Sequence, residues 1–436
     1  MKIIPIKSIK GNLNLPGDKS ITHRAMILSA LTEDRIIIKN PLISADTLAT
    51  LNGLSKLKIK SEAIENGLII YGDGLKIPHA DRNKLIQIDC GNSGSTMRFM
   101  AGLLSGLKVK ACLTGDSSLL KRPMQRIIDP LTDLGANISS KRNDGLAPLF
   151  IEPALLSGRD DIRTNIPSAE VKTSILLAGL MADGKTKITE PLKSRDHTER
   201  MLLFLHAPIS VEENTISIYG HSHLHGNEIL IPGDISSAAY FIALALILPE
   251  SRIIIKGCGI NPSRTGFLNS IRKMGGNIKI FNERMYGFEP VADIMAETSM
   301  LHGIRIESRD IPSMIDELPI LAVLSAYSCG VTSVRGAGEL RKKESDRISL
   351  IINNLKKMNV SCKEFDDGFE IEGIYGSSGE KIREIRGSEI DTEKDHRIAM
   401  AFTIACLNAS SESNIKDAES VSVSYPDFFK DLESLI

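Results

Sequence analysis

The stretch "LPGDKSITHRA", Leu15–Ala25, and the stretch "IPGDISSAAYF", Ile231–Phe241, open alike and then part: the first continues with Lys, Ser, His and Arg, the second with Ile, Ser and Ala. Their starts lie about half the chain apart, which points to an internal duplication. A smaller unit recurs between and beyond them. An amphipathic run ends in Leu or Met and a small residue and leads into a short alternating strand at "LSKLKIKS" (54–61), "LTDLGANISS" (131–140), "IRKMGGNIKI" (271–280) and "LKKMNVSC" (355–362), with a weaker copy at 205–220. Helical periodicity is clear in "THRAMILSALTED", "GSTMRFMAGLLSGL", "EVKTSILLAGLMA" and "SSAAYFIALALIL", each begun by Gly, Asp, Ser or Pro, residues that start helices. The fold class is therefore α/β, with about three repeated units in each of two similar halves. Residues 20–231 form one half, and 1–19 with 232–436 form the other. Each unit must bury one helix face, either with helices gathered inside and sheets outside or the reverse, and the pattern fits both. Small-molecule ligands belong where helix starts of both halves face one cleft.

Composition narrows the function. A chain of 436 residues with 42% hydrophobic and 25% charged residues is too long for one core and suits two soluble domains. It has no apolar run long enough for a membrane span, and its first twenty residues lack a signal-peptide layout, so a cytoplasmic protein is expected. Six scattered cysteines without a CxxC pair read as buried free thiols rather than disulfides or zinc ligands. A net charge of −1 and the absence of Trp give no reason to expect nucleic acid. Any anion site must be local.

Several helix starts offer one. In "PGDKSITHR" the backbone amides of a helix start stand beside Lys19, Ser20 and Arg24, a set of donors that suits an anion. The GxxxxGK[ST] of a nucleotide-binding P-loop is absent. "DCGNSGSTMR" places Gly91, Asn92, Gly94 and Ser95 before a helix, where glycine lets backbone approach a ligand. In "LKRPM" Arg122 precedes Pro123, which fits the first position of the next helix. Ser168, Ala169 and Glu170 begin another helix, and "SRDHTER" brings Arg195 and His197. Asp316 and Glu317 stand before an apolar helix, as caps or as catalysts. Lys343 and Arg347, four apart around Glu344, share a face if the segment is helical, and His396 and Arg397 head a last apolar run. The assembly suits substrates rich in phosphate and carboxylate. His221, His223 and His225 alternate as metal ligands on a strand would, but no acidic or Cys partner adjoins them in sequence, so an exposed loop is expected.

These motifs occur, in order and over nearly the whole chain, as in the 5-enolpyruvylshikimate-3-phosphate synthase family, which the chain resembles. The resemblance implies two domains of three βαβαββ units each, with helices inside and sheets outside, closing over shikimate 3-phosphate and phosphoenolpyruvate. It implies no metal, no organic cofactor and a monomer. Shikimate 3-phosphate contacts fall on Lys19, Ser20, Arg24, Ser168, Ala169, Glu170, Arg195, Asp316 and Lys343. Phosphoenolpyruvate contacts fall on Lys19, Gly94, Arg122, Glu170, Glu344, Arg347, His396 and Arg397. Asp316, Glu344 and Lys19 carry the catalytic roles. The resemblance also makes the second PGD segment mainly a return crossover between the domains.

Two positions depart from the family pattern: Glu170 stands where it has glutamine, and Val423 where some members have lysine. With "ELRKKESDR" and "SRDHTER", the chain is more similar to the second bacterial class. A carboxylate at 170 needs a cation such as Lys172 or Arg195, or must bind as the neutral acid; a basic cleft favours the first. The alternatives are transfer to UDP-N-acetylglucosamine, which normally goes with "KN" and a loop cysteine where "KS" and "TGDSSLLKRP" stand, and a non-catalytic sugar-phosphate binder. An RNA-end-processing enzyme on a related repeat is opposed by the neutral charge.

Overall fold

Helices that are apolar on every side belong in an interior, and the chain has several. In the computed structural model, which describes residues 1–75, 84–376 and 378–436, two compact units form. The inserted unit is Gly17–Ile231 with Tyr286–Glu289; the terminal unit is Met1–Pro16, Pro232–Met285 and Pro290–Ile436. This division departs from 20–231 and 1–19 with 232–436 at residues 17–19 and at the turn Tyr286–Glu289. There Phe288 lies 5.4 Å, centroid to centroid, from Phe204.

The inserted unit holds α1 (Lys19–Ala30), α2 (Ala45–Lys56), α3 (Gly94–Leu107), α4 (Gln125–Asp133), α5 (Ala169–Gly179) and α6 (His197–Phe204). The terminal unit holds α7 (Ile235–Ile247), α8 (Gly266–Lys273), α9 (Leu318–Ala326), α10 (Arg347–Lys357), α11 (His396–Leu407) and α12 (Phe428–Glu433). Every residue of α9 and α11 is buried, and nearly every residue of α3 and α7.

One plan repeats around these helices. Strand Ile86–Asp89 leads through α3 to a parallel partner, Ala111–Thr114, and α4 leads to Asn137–Ser140 and Leu149–Glu152, which add antiparallel. A second copy runs from Ile162–Arg163 through α5 and α6. The third is completed by the returning chain, where Glu228–Leu230 pairs parallel with Arg35–Lys39, the strand after α1. In the terminal unit two copies keep four strands, while the third has only Lys2–Ile3, Ser413–Ile415 and Glu389–Ile390 among the described residues, fewer than a full βαβαββ unit. Strand Asn137–Ser140 alternates exposed and buried, as expected of a sheet with helices on one face and water on the other. That settles the choice the pattern left open: helices gather inside. Each unit has its own apolar core.

Five cysteines are buried and Cys362 is half-buried, and none of them is in a disulfide. Among the described residues no helix is long and apolar enough to cross a membrane, and no group of three or more His, Cys, Asp or Glu could hold a metal ion. The His221–His225 loop is exposed, but each histidine has an acidic partner supplied from afar: Asp183, Glu33 and Asp34 at 2.7, 2.7 and 3.2 Å.

Candidate active site

In the inserted unit the Pro-Gly-Asp turn delivers Asp18 as the cap of α1, its carboxylate accepting from the Ile21 amide at 2.8 Å. The helix therefore opens with Lys19. Lys19 Nζ lies 2.8 Å from Asp46 Oδ2 in the first turn of α2, and both side chains retain some exposure. Arg24 turns inward, where Nε donates to Thr198 Oγ1 at 2.7 Å, Nη1 to the Ser20 carbonyl at 2.9 Å, and Nη2 to Thr173 Oγ1 at 3.0 Å and the Ala169 carbonyl at 3.4 Å. Its guanidinium sits 4.7 Å from the Phe99 ring centre. Burial pulls the Arg24 pKa down to about 10, against the fields of Glu170 and Glu199, so it stays cationic near neutrality. Arg24 thus joins Ser20, Ala169 and the start of α6. Ser168 caps α5, and Arg195 is half-buried just before α6 with its field on Arg24.

A second group gathers at the start of α3. Arg122 Nη2 donates to Asn92 Oδ1 at 2.6 Å, and Asn92 donates to Asp116 at 2.6 Å. The chain turns extended at Arg122, and α4 starts only at Gln125, so Pro123 does not open the helix as its position suggested. A Cβ on Gly94 would stand 2.6 Å from Arg98 Nη1 and 3.3 Å from Arg122 Nη1; the missing side chain leaves both guanidinium groups beside bare backbone. Glu170 is paired with Arg98, a cation not foreseen for it in the sequence. Its Oε2 lies 2.6 Å from Arg98 Nη1, and its Oε1 accepts from Ser95 Oγ at 2.6 Å. Lys172, two residues on, points elsewhere and holds Glu190 and Glu199.

The terminal unit builds its group around Asp316, just before α9. The Asp316 carboxylate lies 3.9 Å from Lys343 Nζ, 3.7 Å from Arg347 Nη1 and 3.6 Å from Arg397 Nη2. Lys343 is extended and precedes α10, so it shares no helical face with Arg347; they converge on Asp316 instead. Arg347 also pairs with Glu344 and, through Nε at 2.8 Å, with the fully buried Asp395. Asp395 accepts from Ser345 Oγ and caps α11 through the Arg397 amide, both at 2.9 Å. Burial lowers the pKa values of Arg347 and Arg397, but their carboxylate neighbours outweigh it and raise both. His396 is buried as the first residue of α11. Val423 is half-buried at the end of the short helical turn Ala418–Val423. A polar cavity of about 330 Å³ beside α8, lined by Asn269, Arg272, Lys273 and Asp310, contains none of these groups.

The model of the EPSP synthase (3-phosphoshikimate 1-carboxyvinyltransferase) family matches residues 3–432. The chain belongs to the EPSP synthase family. A 3-phosphoshikimate 1-carboxyvinyltransferase of Syntrophomonas wolfei is 44% identical over 433 residues, covering 99% of this chain and 98% of that one. One from Aquifex aeolicus is 43% identical, covering 100% and 99%. The EPSP synthase structure from Acinetobacter baumannii superposes with a TM-score of 0.87 at 39% identity, covering 100% of this chain and 97% of that one. The enolpyruvyl transferase NikO of Streptomyces tendae, at 16% identity and a TM-score of 0.79, shares the fold. Two acids missed in the sequence, Asp46 and Asp395, hold Lys19 and Arg347 in this chain.

Proposed function

We propose that the chain transfers the enolpyruvyl group of phosphoenolpyruvate to the 5-hydroxyl of shikimate 3-phosphate and releases phosphate, in the shikimate pathway to chorismate, with the groups above in the following roles. Lys19, Ser20, Arg24, Ser168, Ala169, Arg195 and Lys343 take the shikimate ester, and Gly94, Arg122, Arg347, His396 and Arg397 take phosphoenolpyruvate. Glu170 stays on Arg98 and keeps its charge off the incoming anion.

Asp316 accepts the proton of the 5-hydroxyl as its oxygen bonds to C2. Glu344 with Lys19 delivers a proton to C3, which completes the tetrahedral adduct. Loss of phosphate breaks the C2–O bond to the leaving group and returns the C3 proton, restoring the double bond. Arg122, Arg347 and Arg397 meet the charge that develops on the departing phosphate. The observation that carries the reading is the Asp316 carboxylate set among three cations within 4 Å, on a chain matched by its family over nearly its full length. A base thus stands beside the cations that a phosphate leaving group needs.

The pure protein, given both substrates, releases inorganic phosphate only when both are present. Equal release with UDP-N-acetylglucosamine in place of the shikimate ester would overturn the reading. Arg122→Ala raises the KM for phosphoenolpyruvate more than that for shikimate 3-phosphate, since a charge-assisted contact is worth roughly 1.5–3 kcal/mol; equal losses for both ligands would contradict its placement.

A further inference from the structure

Lys172, Glu190 and Glu199 take no part in that chemistry, yet they form a charged group shut away from water. Lys172 lies on α5, two residues after Glu170; Glu190 follows strand Lys185–Thr189; Glu199 is in the first turn of α6. Their side chains are 1%, 1% and 3% exposed, and Lys172 Nζ lies 2.8 Å from Glu190 Oε2 and 2.6 Å from Glu199 Oε1. Two carboxylates on one ammonium leave a negative charge in excess. Burial accordingly raises the Glu199 pKa above the usual range, with Lys172 opposing it. Glu190 Oε1 and Glu199 Oε2 are buried without a hydrogen-bond partner among the described residues. Such a group is commonly less stable than apolar packing of the same volume, so fold stability is a poor reason for it.

Its arms supply a better one. Glu190 Oε2 also accepts from the Ser194 amide at 3.4 Å, the residue before Arg195. Glu199 adjoins Thr198, whose hydroxyl accepts from Arg24 Nε and meets Thr173 on α5. Lys172 therefore ties three segments together: the start of α5, the loop that carries Arg195, and the turn of α6 on which Arg24 rests.

We propose that the Glu190–Lys172–Glu199 triad is a positioning device for shikimate 3-phosphate, holding Arg195 and Arg24 at the spacing that its anionic groups require while leaving phosphoenolpyruvate binding alone. This rests on the assignment of both arginines to shikimate 3-phosphate. The triad touches no substrate; it acts through the arginines.

The test compares Glu190→Gln, Arg195→Gln and the double variant by phosphate release, with both KM values, kcat and thermal unfolding measured for each. Glu190→Gln is expected to raise the KM for shikimate 3-phosphate about tenfold, with kcat and the KM for phosphoenolpyruvate changed less than about twofold. Arg195→Gln raises the same KM at least as far, and the double variant falls short of the product of the two single effects, because only Arg24 is left to position. If Glu190→Gln does not fold, Glu199→Gln takes its place, since either keeps one charged partner on Lys172. A Glu→Gln variant that moves both KM values alike or neither, or whose effect multiplies with that of Arg195→Gln, overturns the inference. An Arg195→Gln enzyme with an unchanged KM for shikimate 3-phosphate instead refutes the residue assignment, and the inference falls with it.

Discussion

Asp18 at the start of α1 and Asp234 at the start of α7 cap their helices alike, accepting from the Ile21 and Ser236 amides at 2.8 Å each. Beyond the caps the two copies differ in where their charge comes from. α1 carries its own cations, with Lys19 on Asp46 and Arg24 in the interior. In α7, Ile235 and Tyr240 hold the corresponding places. The cation there is Arg264, from the separate short turn Pro262–Arg264, and its Nη2 meets Ser236 Oγ at 2.7 Å and Glu317 Oε1 at 3.2 Å. The Lys19 side chain is 14% exposed and that of Arg264 is 2% exposed. The difference teaches what each copy can do: a partly open cation can exchange its partner for a ligand, whereas a sealed cation with a carboxylate already on it holds the fold.

If that is right, the copies fail differently. Arg264→Met leaves Glu317 buried without its counter-charge and lowers stability by about 3–5 kcal/mol, whereas Lys19→Met costs about 1 kcal/mol or less; denaturant unfolding of the two variants checks this, and equal costs would erase the distinction. The α1 copy alone places a histidine in its core. His23 is buried with Nδ1 2.7 Å from Thr50 Oγ1, and burial pushes its pKa down to about 4. Between pH 6.5 and 4 the unfolded chain binds a proton there that the folded chain refuses. The stability this residue contributes above pH 6.5 is therefore lost as the pH falls through that window, by ~3 kcal/mol. Unfolding midpoints measured across the window should fall less steeply for His23→Asn than for the wild type; parallel curves would refute the buried neutral ring.

The two turn glycines sharpen the comparison further. A Cβ on Gly17 would stand 2.0 Å from the Asn40 carbonyl oxygen, whereas one on Gly233 would stand 3.3 Å from that of Gly257. Gly17→Ala is expected to cost about 2 kcal/mol and Gly233→Ala less than about 1 kcal/mol, again by denaturant unfolding. The smallest effect is expected at Glu170: already on Arg98 and Ser95, it can become Gln with the KM for phosphoenolpyruvate moving less than about twofold at any pH. A steep pH dependence present in the wild type and absent from Glu170→Gln would mean that this acid binds neutral.

The repeated units and the starts of α5, α9 and α11 were legible because each pairs a start residue with an apolar run. Local signals failed where the backbone breaks without a helix: Pro123 suggested a helix start two residues too soon, and the spacing of Lys343 and Arg347 suggested a shared face although Lys343 is extended. Asp46 and Asp395 were missed because each meets its cation, Lys19 or Arg347, across a long stretch of chain, a pairing that no spacing encodes. Arg98 was missed as a partner of Glu170 for a related reason. Lys172 is two residues away on the same helix and so faces another side, while Arg98 arrives from α3.

Of two copies of one helix start, only that of α1 is proposed to work on substrate. Phosphate release by Lys19→Met and Ile235→Leu, measured side by side with both substrates, tests it most directly. Lys19→Met is expected to lose roughly ten- to a hundredfold in kcat/KM, the worth of one charge-assisted contact, while Ile235→Leu stays within about twofold of the wild type. Comparable losses in both variants, or undiminished turnover by Lys19→Met, would contradict the account.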